Sequence, residues 1–124
     1  MAEGEGFGAT VGVERVEGKD GRSTVVLDAG PAHLNRHGSV HGGAIATLAD
    51  SAMGLAVAAT PPGEEPAAPV TIEMKVTYLQ PAGEGRLTAT GVVRKRGKRI
   101  TVVEAEIEQD GDVVALALGT FTAG

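Results

Sequence analysis

A segment dense in glycine and polar side chains, residues 31–43 (PAHLNRHGSVHGG), lies immediately before the most helical part of the chain. It ends in Gly42 and Gly43, where that helix is expected to begin. The amide N–H groups of a first helical turn have no partner within the helix and lie at the positive end of its dipole. Such amides can hold an anion or the oxyanion of a reaction intermediate. Two glycines also allow a simple tight turn, so the segment needs a second indication of chemistry.

Asp50 provides that indication. The sequence predicts a helix from Gly43 to Ala59 that is apolar nearly all round, with this one carboxylate two turns inside it. A buried carboxylate without partners is costly, so it needs a reason to be there. It could be a structural Asp bonded to the backbone or to a hydroxyl such as Ser51. The alternative, which we adopt, is a catalytic base or nucleophile made more reactive by its apolar setting.

Strands are expected to position these groups. Alternating apolar residues and turn signals predict strands at 23–28, 70–78, 86–94, 99–108 and 113–121. In the second of them Thr71 is expected on the polar face, away from the apolar residues. One long helix with antiparallel strands joined by short turns is an α+β arrangement, in which one curved sheet wraps one helix. Because such a sheet has exposed edges, we expect a homodimer with a continuous sheet.

The chain of 124 residues has the length of one domain. Residues 1–19 are predicted to be an N-terminal arm and residues 20–124 the single domain. The first twelve residues have neither the basic nor the apolar region of a signal peptide. The apolar helix approaches the length of a membrane span, but Asp50 in its middle and its many alanines argue against a membrane partner.

The charge distribution is uneven. Formal net charge is −5, yet five of the eleven Lys and Arg residues lie between Arg94 and Arg99. One compact basic turn on an acidic chain favours a single small polyanion over a nucleic acid. With one Tyr, two Phe and no Trp, the chain also has few side chains on which bases could stack. A solvated hairpin tip is the simpler alternative.

Metal and thiol chemistry are not expected. The chain has no cysteine, which excludes a thiolate nucleophile and fits a reducing cytoplasm. His33, His37 and His41 recur at a spacing of four, which on a helix would place three imidazoles on one face. Pro31 and Gly38 make a continuous helix across them improbable, so no metal site is predicted.

Seven positions between residues 35 and 50 stand at the spacing of a known signature: Asn35, Gly38, His41, Gly42, Gly43, Leu48 and Asp50. In them the chain resembles the PaaI-like hotdog-fold thioesterases, the phenylacetate-pathway type of acyl-coenzyme A (CoA) thioesterase. The resemblance extends over about residues 20 to 122. Where relatives often have an aromatic residue shortly after the catalytic Asp, this chain has Met53 and Gly54, which puts the identity of the acyl group in doubt.

The resemblance implies a hotdog fold, thioester hydrolysis without a cofactor, and an active site shared across a dimer, with dimers assembled into a homotetramer. The Gly42 amide would polarise the thioester carbonyl, with Asn35 orienting the carbonyl or the water. His41 would hold the loop in shape. Asp50 of the other subunit would activate water or attack the carbonyl, and Thr71 would lie near the water.

The basic turn would then bind the phosphates of CoA. Its candidate residues are Lys95, Arg96, Gly97, Lys98 and Arg99.

Two other functions are compatible with a hotdog domain. A non-catalytic acyl-CoA-binding module would keep the basic turn without needing Asp50. A dehydratase would use a catalytic pair of His with Asp or Glu, at a spacing that matches less well.

Overall fold

A computed structural model describes residues 4–59 and 68–122. Its elements in chain order are α1 (Phe7–Val11), β1 (Val13–Lys19), β2 (Arg22–Ala29), a short 3-10 helix (Pro31–His33), α2 (Gly42–Ala58), β3 (Thr71–Tyr78), β4 (Gly85–Arg96), β5 (Ile100–Gln109) and β6 (Asp112–Thr122). The strands form one antiparallel sheet in the order β1-β2-β4-β5-β6-β3. The predicted α+β arrangement, one long helix against one curved antiparallel sheet, is confirmed.

The core lies between α2 and the inner face of the sheet. The helix is rich in alanine, which allows it to lie close to the strands. The side chains it buries are Ile45, Leu48, Ala49, Ala52, Met53, Ala56 and Val57. The largest fully buried side chains of the sheet are Val25, Leu27, Leu87, Val103, Ile107 and Phe121. Burial of these apolar surfaces is the main force that holds the helix on the sheet.

The helix and the sheet approach each other closely at Gly91 of β4. A Cβ atom there would lie 2.6 Å from the carbonyl oxygen of Ala52, so only glycine fits. The buried hydroxyl of Ser23 donates to that same carbonyl at 2.5 Å and accepts from the Gly91 N–H at 3.2 Å. These contacts hold α2 on the sheet two residues beyond Asp50, so they help to set the position of its carboxylate.

The predicted N-terminal arm is wrong for residues 13–19. They form β1, which pairs with β2 through a turn at Asp20 and Gly21, both with positive φ. The strand lies at an edge of the sheet, and six of its seven residues are exposed. A strand that buries so little apolar surface has no clear alternation of apolar and polar residues, which is why the pattern did not indicate it. The sheet therefore begins at Val13.

Thr71 lies on the opposite face from the predicted one. The pairing of β3 with β6 shifts between Thr71 and Glu73, which is a β-bulge. Thr71 pairs with the buried Phe121 and so faces the helix, together with Met74 and Val76 farther along the strand. One extra residue reverses the face of everything before it, so the alternation alone predicted the wrong side.

No helix in residues 4–59 and 68–122 is long and apolar enough to cross a membrane.

Candidate active site

The loop before α2 is organised by Asn35. Its Oδ1 atom accepts hydrogen bonds from the backbone N–H groups of His37 (2.8 Å) and Ser39 (3.2 Å). Its own N–H donates to the Ser39 carbonyl at 2.7 Å. Two donors on Oδ1 fix the orientation of the amide, because only the oxygen can accept. The Nδ2 group is therefore the part that can act on a ligand, and it acts as a donor.

The first turn of α2 leaves one particular amide without an acceptor. The Nδ1 atom of His41 accepts from the Gly43 N–H at 2.8 Å, as a helix cap. The His41 carbonyl accepts from Ala44 (2.9 Å) and Ile45 (3.3 Å). Within the described part of the chain, Gly42 N–H is the one first-turn amide with no acceptor. The His41 side chain thus accepts from the Gly43 N–H and leaves the Gly42 N–H as the donor at the positive end of the helix dipole.

Asp50 is partly buried on α2 and is bound by one side chain from the sheet. The Thr71 hydroxyl donates to its Oδ1 atom at 2.7 Å. The two residues come together because the bulge in β3 turns Thr71 toward the helix. A hydrogen bond to a carboxylate is charge-assisted and fixes the side chain in one orientation. The Oδ2 atom remains available for chemistry.

Gly42 and Asp50 do not meet within one chain. They are eight residues apart on a continuous helix, which at 1.5 Å per residue separates their backbones by about 12 Å. Each is nonetheless attached to the same edge strand: Thr71 at the start of β3 binds Asp50, and Tyr78 at its end donates to the Gly42 carbonyl at 2.8 Å. The sequence did not indicate a role for Tyr78, although it is the only Tyr in the chain.

The basic turn between β4 and β5 lies at the other end of α2. Arg96 caps that end, because its guanidinium donates to the carbonyls of Val57 (3.0 Å), Ala56 (3.5 Å) and Ala59 (3.3 Å). Arg96 therefore has a structural contact with α2. Lys95, Gly97, Lys98 and Arg99 are exposed.

No ion pair with an acidic residue of the described segments involves the exposed basic residues Lys95, Lys98 and Arg99. Arg94, at the start of the basic run, has its Nε atom 3.7 Å from a Glu104 carboxylate oxygen. The turn therefore presents three charged side chains that could meet an anion.

The three histidines lie in different surroundings. The ring of His33 accepts from the Gly30 N–H at 3.0 Å through Nδ1, and its Nε2 atom contacts the Val11 carbonyl. The Nδ1 atom of His41 accepts from the Gly43 N–H, and His37 is exposed. Across the described segments no three His, Asp or Glu side chains are grouped as metal ligands.

Comparison with known proteins identifies the family. Residues 37–116 match the model of the thioesterase superfamily. The chain is 31% identical to the acyl-coenzyme A thioesterase PaaI of Escherichia coli, over 96% of this chain and 83% of that protein. The matched segment contains Gly42, Asp50 and Thr71.

Solved structures agree with that match. A conserved Pseudomonas aeruginosa protein is 34% identical and superposes with a TM-score of 0.87, over 95% of this chain and 93% of that one. The structure of E. coli PaaI, from the phenylacetic acid degradation operon, is 31% identical with a TM-score of 0.84, over 93% and 81%.

A Streptococcus mutans protein solved with bound acetyl-CoA is 28% identical with a TM-score of 0.78, over 89% of this chain and 86% of that one. The helix, the six-stranded sheet and these matches agree with one another. The chain belongs to the thioesterase superfamily and has its hotdog fold.

Proposed function

We propose that this protein hydrolyses the thioester of an acyl-CoA to a free acid and CoA, at a site shared by two subunits. One observation carries the proposal: a helix-start amide without an acceptor and a carboxylate on the same helix are attached to opposite ends of one edge strand, β3. A relative named acyl-coenzyme A thioesterase and a structural neighbour with bound acetyl-CoA support the substrate class.

The edge strand explains how the two groups come together. β3 is the last strand of the sheet, and exposed apolar side chains cluster along it and at its ends: Val70, Ile72, Tyr78 and Leu79. An uncovered edge of this kind is a ready surface for pairing with another strand. If two copies pair antiparallel about a two-fold axis near the middle of β3, the Thr71 end of one strand lies beside the Tyr78 end of the other.

That pairing completes the site. Thr71 of one subunit holds Asp50, while Tyr78 of the other holds the first turn that presents the Gly42 amide. The carboxylate of one chain is thereby placed opposite the amide of its partner. Two equivalent sites form per dimer, each with a donor for the carbonyl oxygen and a carboxylate for the attacking group.

The reaction follows from these positions. The thioester carbonyl accepts hydrogen bonds from the Gly42 N–H and from Nδ2 of Asn35, which stabilise the negative charge that develops on its oxygen. In the general-base route, Asp50 takes a proton from water as the water oxygen bonds to the carbonyl carbon. The tetrahedral intermediate collapses, the C–S bond breaks, and the CoA sulfur leaves as a thiolate that takes up a proton.

Asp50 can also act as a nucleophile. Its oxygen then bonds to the carbonyl carbon, the CoA thiolate leaves, and water hydrolyses the resulting anhydride. A single turnover in H₂¹⁸O with enzyme in excess is the first test, because ¹⁸O found in Asp50 by peptide mass spectrometry requires the anhydride. ¹⁸O found only in the released acid fits the general-base route and also an anhydride opened by water at its acyl carbonyl. Hydroxylamine added during turnover separates these two cases, because a hydroxamate on Asp50 can form only from the anhydride.

The phosphates of CoA are assigned to the exposed part of the basic turn. Lys95, Lys98 and Arg99 offer positive charge beside Gly97, which has no side chain to keep a phosphate away. Arg96 is taken out of this set, since its guanidinium caps α2.

The outer face of the sheet is the proposed contact between dimers. A cleft of about 410 Å³ on that face is lined by Leu116 and Leu118 and by charges of both signs. The charged residues of its lining are Lys75, Arg94, Glu104 and Glu106. A surface with an apolar centre and both charges can pair with a copy of itself, which would give the homotetramer.

The proposed activity is tested by thiol release from a panel of acyl-CoAs with aromatic, hydroxylated and medium-length acyl groups. Because the chain has no cysteine, the thiol reagent meets no background from the enzyme. Release of one CoA per acid formed with at least one acyl-CoA is the expected result. Binding of the panel without thiol release would contradict the proposal and favour an acyl-CoA-binding module.

A further inference from the structure

The peptide group between Gly42 and Gly43 is held at both ends by side chains. Its carbonyl oxygen, that of Gly42, accepts from the Tyr78 hydroxyl at 2.8 Å. Its N–H, that of Gly43, donates to Nδ1 of His41 at 2.8 Å. Tyr78 comes from the edge strand and His41 from the preceding loop, so two separate parts of the chain clamp one peptide plane.

This clamp acts where the backbone is otherwise loosest. Two consecutive glycines have the largest conformational freedom of any dipeptide, and they stand at a helix start, where few intrahelical bonds restrain them. A Cβ atom on Gly42 would lie only 3.2 Å from the Tyr78 ring and its hydroxyl oxygen, so the phenol lies directly against the glycine. The contact favours glycine at this position, because a Cβ would push the Tyr78 ring away by a few tenths of an ångström.

Burial does not account for the Tyr78 hydrogen bond. The side chain is 50% exposed, so its hydroxyl could be hydrated by solvent. In the helix the Gly42 carbonyl also faces the N–H four residues later, as helical carbonyls before the last turn do. The bond from Tyr78 is thus an additional one, directed at the peptide next to the Gly42 amide that would meet the substrate.

We infer that Tyr78 is a positioning residue for the carbonyl-polarising amide: by fixing the Gly42–Gly43 peptide, its hydroxyl fixes the direction of the Gly42 N–H. The inference rests on the proposed function and assigns a second role to β3. Thr71 at one end of the strand sets the carboxylate of one site, and Tyr78 at the other end sets the amide of the other site.

The test compares Tyr78→Phe, which removes one oxygen and keeps the ring against Gly42, with Thr71→Val, which removes a hydroxyl from the same strand at the carboxylate end. We expect Tyr78→Phe to lower kcat about tenfold with KM within about twofold, because a misdirected donor stabilises the transition state less while substrate binding changes little. Thermal unfolding of both variants monitors the fold, and exposed Thr77→Val is a control on the same strand.

A spectroscopic measurement isolates the positioning role. The probe is an acyl-CoA ketone analogue, with methylene in place of the thioester sulfur and ¹³C at the carbonyl, observed by infrared difference spectroscopy. Hydrogen bonding to the Gly42 amide should lower the carbonyl frequency on binding to the wild-type protein. The shift should be smaller with Tyr78→Phe and unchanged with Thr71→Val.

A shift as large in Tyr78→Phe as in the wild type overturns the inference about Tyr78 and leaves the proposed hydrolysis intact. The absence of any shift in the wild type, with binding confirmed, overturns the Gly42 assignment itself and the role of Tyr78 with it.

Discussion

Thr71 donates a hydrogen bond of 2.7 Å to the carboxylate of Asp50, and this bond joins the middle of the long helix to the edge strand of the sheet. It exists because a β-bulge turns Thr71 toward the helix. The carboxylate that the proposed chemistry requires is therefore oriented by a strand at the surface where a second subunit would pair.

Replacement of Asp50 by Asn is expected to lower kcat at least about a hundredfold while the protein stays folded. Asn keeps the size of the side chain and an oxygen that Thr71 can bind, but it can neither take a proton nor attack a carbonyl. Ser51→Ala, one residue along the helix, is the matched control and should retain activity. Turnover of Asp50→Asn near the wild-type rate would mean that the carboxylate is structural.

Thr71→Val is expected to lower kcat at least about tenfold, because a hydrogen bond to a charged group contributes on the order of 1.5–3 kcal/mol and each 1.4 kcal/mol is about tenfold in rate. Thr71→Ser keeps the hydroxyl and should recover most of the lost rate. Steady-state kinetics of the two variants provide the comparison. Equal activity of Val and Ser variants would remove the hydroxyl from the mechanism.

Joint replacement of Lys98 and Arg99 by Ala should raise KM for an acyl-CoA more than it lowers kcat, because the phosphates lie away from the reacting carbonyl. The effect should shrink at high salt, as screening weakens exposed charges. Arg96→Ala is the comparison, and it should chiefly lower Tm, since Arg96 caps α2. An unchanged KM for the double variant at low ionic strength would exclude this turn from the CoA site.

Gly91→Ala should destabilise the fold by about 1–3 kcal/mol, because its Cβ would collide with the Ala52 carbonyl and push the helix off the sheet. Gly83→Ala is the control, since a Cβ there has no neighbour within 4 Å. Urea denaturation measures both free energies of unfolding. Similar stability of the two variants would show that the helix can shift freely at this contact.

The sequence predicts most of this fold because its strongest patterns are local. The helix from Gly42 to Ala58 and the strands after it follow from apolar periodicity and glycine turns. β1 was missed because an exposed edge strand buries too little to leave a pattern. The face of Thr71 was predicted wrongly because a bulge is a property of the pairing between strands.

The residues of the candidate site could be proposed from the sequence only in part. The resemblance in the spacing from Asn35 to Asp50 pointed to the candidates of the loop and the helix, which lie close together in the sequence. The capping by Arg96 and the contact of Tyr78 with Gly42 join residues 36 or more positions apart. Such contacts depend on how distant elements pack, so composition and periodicity could not indicate them.

The shared site is the central claim, and mixed dimers test it most directly. Asn35→Asp keeps the oxygen that organises its loop but removes the donor, and Asp50→Ala removes the carboxylate, so each variant alone should be nearly inactive. When equal amounts are unfolded and refolded together, about half of the dimers are mixed, and each mixed dimer has one intact site. Thiol release should then return to roughly a quarter of the wild-type rate. Activity no higher than the mean of the separately refolded variants, with subunit exchange verified by mass spectrometry, would contradict the account and place Asn35 and Asp50 in one site of a single chain.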